Sequence, residues 1–170
     1  DSNWQITLNV AEVGQASVNV GFGVNPAATN GLDEALGDSE LPPMPPAGVL
    51  DVRFLNAGNG TALDLRPGIS GNLGPYTLNL RVRRAVAGDA ILITWNRNLL
   101  ATMAVGNVTL RDALTDGSIV SVDMVAQSSA SITAAVEDFL IVFTAGDGFD
   151  ITAELLPPVL IPVAPPVAGV

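Results

Sequence analysis

Apolar and polar residues alternate with period two, in short runs, from one end of this sequence to the other. Trp4, Ile6, Leu8 and Val10 alternate with Gln5, Thr7 and Asn9, and Ala16, Val18, Val20 and Phe22 with Ser17, Asn19 and Gly21. Leu50, Val52 and Phe54 alternate with Asp51 and Arg53, and Tyr76, Leu78, Leu80 and Val82 with Thr77, Asn79, Arg81 and Arg83. Successive side chains of a strand point to opposite faces, so each run reads as a strand with one buried face. Residues 89–95, 107–112, 119–124, 131–136, 139–144 and 149–155 read the same way. Asn59-Gly60, Ala87-Gly88-Asp89, Asp116-Gly117 and Gly146-Asp147-Gly148 mark turns between runs. Helix can be argued only over 27–36 and 99–105, both short. The expected fold is all-β: a β-sandwich or jelly roll of about ten short antiparallel strands.

Length and charge narrow the class further. The 170 residues suffice for one core, expected over residues 1–156. A net charge of -10 leaves no phosphate-neutralising surface, so neither nucleic acid nor an anionic membrane surface is an expected partner. Hydrophobic residues make up 48% of the chain, yet no run approaches the roughly 20 apolar residues of a membrane helix. The start at Asp1 fits removal of a signal peptide.

The sequence has no Cys, no His and no Lys; all seven basic residues are Arg. This removes the thiol nucleophile, the imidazole base, the Schiff-base amine and the usual zinc ligands together. No catalytic residue is assigned, and a non-enzymatic protein is expected. With no disulfides, an extracellular life rests on packing alone. The two Trp fall on apolar faces of alternating runs, which favours core packing over sugar stacking.

Two segments break the alternation. Residues 23–48 form a long acidic, Pro-rich loop containing Asp33, Glu34, Asp38 and Glu40 and then Pro42-Pro43-Met44-Pro45-Pro46. Loops of this length in compact domains are usually functional or disordered. Clustered carboxylates on a flexible loop suit calcium, with Asp33, Asp38 and Glu40 as candidate ligands, although the spacing is not that of an EF-hand. Asp147 and Asp150 around Gly148 form a weaker cluster, better read as a turn. The proline run favours polyproline II and reads as a stiff connector pinned between strands. Asn59-Gly60-Thr61 and Asn107-Val108-Thr109 fit the N-glycosylation pattern.

The second irregular segment, residues 157–170, carries no charged side chain. Val159, Leu160, Ile161 and Val163 make it a candidate donor strand for a neighbour's sheet edge, since contiguous apolar surface marks an interaction site. Pro162 suits an edge position because it cannot donate to a ladder.

Phe22-Gly23-Val24, Pro26-Ala27-Ala28-Thr29-Asn30-Gly31, Asp33 and Glu40-Leu41-Pro42-Pro43-Met44-Pro45-Pro46 precede the strand ending at Phe54. Further on come Ile93-Thr94-Trp95, Val108-Thr109-Leu110-Arg111-Asp112, Val122-Asp123-Met124 and Phe139-Leu140-Ile141-Val142-Phe143. This order of motifs resembles the immunoglobulin-like modules of large secreted bacterial surface proteins exported by the type IX (Por) route. The resemblance implies a sandwich and an extracellular or cell-surface address, and no reaction.

Two functions are therefore expected in competition. One is a self-assembling subunit of an extracellular filament, tube or surface layer, joined by strand exchange with copies of itself. The other is a secreted adhesion module that binds carbohydrate or a surface protein.

Overall fold

The computed structural model describes residues 1–151, and within them ten strands form two five-stranded sheets. The first sheet has the order β4 (Leu63–Pro67), β2 (Val18–Asn25), β1 (Trp4–Glu12), β6 (Ile91–Thr94) and β9 (Ser129–Ile132). The second has the order β3 (Asp51–Phe54), β5 (Tyr76–Arg83), β10 (Asp138–Phe143), β7 (Thr109–Asp112) and β8 (Ser121–Asp123). The chain is an all-β sandwich, as the alternation required.

The alternation places the core directly. Trp4, Ile6, Leu8 and Val10 from β1 and Leu78, Leu80 and Val82 from β5 are all 0–1% exposed. At one end Phe143 lies 5.7 Å from Trp4, 5.2 Å from Phe22 and 5.7 Å from Tyr76, centroid to centroid, joining both sheets through one aromatic cluster. Gly23 permits the tight β1–β2 contact, since a Cβ there would sit 2.0 Å from the Trp4 carbonyl oxygen.

Three sequence expectations are corrected. The pairing is not wholly antiparallel, because β2 and β4 run parallel from Gly21↔Leu63 to Asn25↔Pro67. β4 itself was not expected; it is short and ends at Pro67, and Asp64 on its buried side is paired with Arg66 at 2.9 Å. The strand expected over 131–136 lies earlier, at Ser129–Ile132. The reason is Arg84, whose guanidinium donates to the carbonyls of Ile132 (3.1 Å), Ala134 (2.9 Å) and Val136 (2.9 Å), so this stretch satisfies its acceptors without a ladder. Of the run 149–155 only residues 149–151 are described, where Asp150 makes one parallel bridge to Asn3. The apolar segment 157–170, with Val159, Leu160, Ile161 and Val163, lies outside the described residues.

Helix α1 (Arg97–Met103) begins where the Asn96 side chain accepts from the Leu99 amide (3.1 Å), and it buries Leu100 and Met103. Among the described residues no helix is long and apolar enough to cross a membrane.

Candidate functional site

A two-sheet sandwich has four edge strands, each with a row of unpaired backbone groups that must be covered, charged or used. Here the edges are β4 and β9 in one sheet and β3 and β8 in the other. β3 lies beside β2 and β4, and β8 lies beside β9, so the sandwich has two open ends.

The long loop covers the first of these ends. β2 extends to Asn25, and beyond it the chain makes one 3-10 turn at Glu34–Leu36. Asp33 is fixed locally: its carboxylate accepts from the Thr29 amide (2.9 Å) and hydroxyl (3.0 Å). Asp38 reaches the outer side of β4, where Oδ2 accepts long bonds from the Leu65 amide (3.4 Å) and Asn56 Nδ2 (3.5 Å). Glu40 turns away to accept from the Asn59 amide (2.7 Å). Asp33 and Asp38 are thus brought together, bridged backbone to backbone, while Glu40 serves a separate turn. Among the described residues no three carboxylates converge into a group that could hold a metal ion.

Asp38 is fully buried, and its Oδ1 finds no hydrogen-bond partner. Burial, reinforced by the nearby carboxylates of Asp64 and Asp33, pushes its pKa up to about 6 against the pull of the Leu65 amide and Arg66. The folded chain therefore holds a proton that the unfolded chain, with a carboxyl of ordinary pKa 3.8, has already released. The resulting stabilisation is complete below about pH 3.8 and is lost as pH rises through about 6. Asp38→Asn keeps the neutral form at every pH, so near neutrality it is expected to be more stable than the parent by about 3 kcal/mol. Urea unfolding of both proteins at mildly acid and neutral pH checks this. Parallel pH dependences for the two proteins would contradict it.

The proline run covers β3. Arg53, 3% exposed, forks onto Asp51 with two bonds of 2.7 Å and donates through Nη1 to the carbonyls of Pro42 and Asn59, both at 2.7 Å. Arg83 donates to the carbonyls of Pro45 and Pro46. The carbonyls of a polyproline stretch have no internal partners, and two arginines of the sandwich supply them. The run is pinned as a connector, and it shields an edge as well.

The opposite end is left open. The Trp95 amide donates to the Ser128 carbonyl (3.1 Å), which sets the parity of the β6–β9 ladder. Residues of one parity, Ala130 and Ile132, exchange bonds with β6, so the N–H and C=O of Ser129 and Ser131 point outward. Among the described residues these groups have no hydrogen-bond partner. β8 has the same arrangement: Met124 donates to Val108 and Asp112 to Val120, which turns Ser121 outward. Between the two edges lies a groove of about 360 Å3, and no charged residue lines it. It adjoins a more apolar hollow of about 680 Å3, bordered by Leu114, Ile119 and Val136, in which Leu114 is 83% exposed.

Asp112 holds the wall of this hollow. Burial alone would raise its pKa, but the Thr115 hydroxyl (2.6 Å) and the amides of Val120 (2.9 Å), Thr115 (2.7 Å) and Ile119 (3.1 Å) hold it well below the usual carboxylate range. That contribution is present above about pH 3.8, the ordinary value, and persists far into acid.

The other residues singled out from sequence have structural places. Trp95 is buried, with its indole donating to the Met124 carbonyl (2.8 Å). Asp147 accepts from Ser70 (3.0 Å) at a turn. Sequence reasoning missed Arg53, Asp112 and the outward pair Ser129 and Ser131. An Arg two residues from an Asp on the same face of one alternating run is a signal that could have found the first. No family model, curated protein or solved structure matches this chain.

Proposed function

We propose that the chain is a non-catalytic, secreted structural protein: a subunit that assembles with its own copies into an extracellular filament, tube or surface layer. Copies join by strand exchange, with Val159, Leu160, Ile161 and Val163 completing the sheet of a neighbour. The observation that carries this reading is the asymmetry between the two ends of the sandwich. One end is covered by residues 26–48, held by Asp38, Arg53 and Arg83, whereas the other presents outward backbone groups of Ser121, Ser129 and Ser131 beside an uncharged groove. Proteins that stay monomeric protect such edges with charge, proline or a covering segment. A contact between different surfaces of two copies does not close on itself and extends into a fibre.

A second reading is an adhesion module for a surface protein or carbohydrate. The exposed Leu114 and Ile119 beside the larger hollow, which Glu137 and Asp138 also line, favour a protein partner there over a carbohydrate. Electron microscopy and size-exclusion chromatography of the purified intact chain separate the two. Self-assembly predicts ordered polymers that grow with concentration, and monomers at every concentration would reject it in favour of the binding module.

A further inference from the structure

Of the four sheet edges, β9 alone keeps two outward residues without partners among the described residues. On β3 the outward Phe54 exchanges bonds with Thr61 (2.7 and 2.8 Å), and on β4 the Leu65 amide donates to Asp38 before the strand ends at Pro67. β8 has three residues, and the carbonyl of its last, Asp123, already accepts from Ala126 and Gln127. We propose that the outer edge of β9 is the acceptor for residues 159–163 of this same chain, added in parallel, and that assembly exchanges this contact between copies. The closed form within one subunit and the exchanged form between subunits then share one interface. The exchange rests on the self-assembly reading above; the contact does not.

Charge selects the occupant. A surface carrying -10 overall repels another copy and any acidic segment, whereas the groove beside β9 has no charged lining and residues 157–170 have no charged side chain. Joining the two brings no like charges together.

Proline spacing selects the direction. In a strand, the N–H and C=O of alternate residues face opposite edges. Within 159–163 the one proline is Pro162, whose parity is opposite to that of Val159, Ile161 and Val163, and Pro157-Pro158 and Pro165-Pro166 bracket the segment. An extended 159–163 segment therefore has one edge complete in donors and one broken by Pro162, so it pairs on one side only. When the complete edge bonds to Ser129 and Ser131 in parallel, Ile161 falls opposite Ala130 and Val163 opposite Ile132. Both are core-facing positions of β9, 7% and 3% exposed. Antiparallel addition through the same edge would set Ile161 opposite an outward serine and turn it to solvent.

The path of the chain agrees independently. Asp150 pairs with Asn3 in parallel, and the Ile151 amide donates to the Asn3 carbonyl (2.7 Å), so the chain leaves the described residues running in the direction of β1. β1 is antiparallel to β6 and β6 to β9, so β9 runs in that direction too. Ser129 is level with Asn9 through Thr94. From Ile151 that is about 20 Å, counting strand rise and two strand spacings, while the stretch from 151 to 160 extends to about 30 Å.

Parallel registry pairs Leu160 with Ser129 on the outer face, at the Cα separation of neighbouring strands, which suits a disulfide. The chain has no Cys, so the double variant Ser129→Cys, Leu160→Cys carries the only thiols. Oxidised while dilute and monomeric, it is expected to form an intramolecular disulfide in most molecules, to lose polymerisation, and to regain it on reduction. The pair Ser129→Cys with Ile161→Cys is expected to cross-link at least tenfold less. A folded double variant that stays reduced while the parent polymerises would overturn the β9 contact and leave self-assembly standing. A disulfide that forms in a protein whose parent never polymerises would keep the contact and overturn the exchange. Preferential cross-linking through position 161 would overturn the parallel direction.

Discussion

Arg53→Met is expected to destabilise the protein by about 3–5 kcal/mol, the cost of removing one partner from a buried ion pair. The variant leaves Asp51 without its fork and strips two carbonyls, Pro42 and Asn59, of a donor at 2.7 Å. The loss is not confined to β3. Arg53 links the proline run to the 56–60 turn, so its removal uncovers the edge that the long loop shields. Hydrogen exchange near residues 52–54 and proteolysis within 41–48 should both accelerate more than the global loss of stability requires. Unchanged local protection would show that Arg83, Asp38 and Glu40 hold the loop without Arg53.

The second large effect is expected at the aromatic centre. Phe143 is 1% exposed and touches Trp4, Phe22 and Tyr76, the residues through which the two sheets meet at this end. Phe143→Ala removes both the burial and the edge-on ring contacts, and a cost of about 3–5 kcal/mol follows for a cavity that rigid neighbours cannot refill. Leu92, 43% exposed on the outer face of β6, provides the contrast. Leu92→Ala is expected to change stability by about 0.5 kcal/mol or less, since a half-exposed side chain leaves no cavity. Denaturant melts of the two variants check the pair, and comparable losses would mean that the core is not organised around this cluster.

Periodicity made the central strands legible, because burial on one face is what a period of two records. β1, β5 and β10 each extend within two residues of the expected runs, and the apolar positions of each are core positions. What periodicity does not record is which strand lies beside which. β4 escaped because its parallel partner β2 is some 40 residues earlier in the chain, and because a buried Asp64 paired to Arg66 looks polar to any hydropathy reading. The 131–136 run alternates like a strand yet leaves the ladder after Ile132, because a side chain, Arg84, satisfies carbonyls that would otherwise require a strand neighbour. The acidic loop stands out in the sequence as a break in the alternation. Its work lies in single carboxylates that each meet a different backbone amide, a division that spacing alone does not reveal. The open β8–β9 end follows from strand order, which emerges only when both sheets are assembled.

Whether copies join through the uncharged 157–170 segment is tested most directly by particle mass, measured by light scattering on the intact chain and on a chain lacking those residues. At 25 cal/mol per Å2 or so, burying Val159, Ile161 and Val163 supplies several kcal/mol before ordering costs, enough to matter against the repulsion of subunits that each carry -10. The intact chain is expected to form large particles whose mass rises with added salt, because screening weakens that repulsion and leaves the short-range contact in place. The shortened chain is expected to remain folded and monomeric at every salt concentration. Equal particle masses for the two chains would contradict the account and move the donor role to another element of the sandwich.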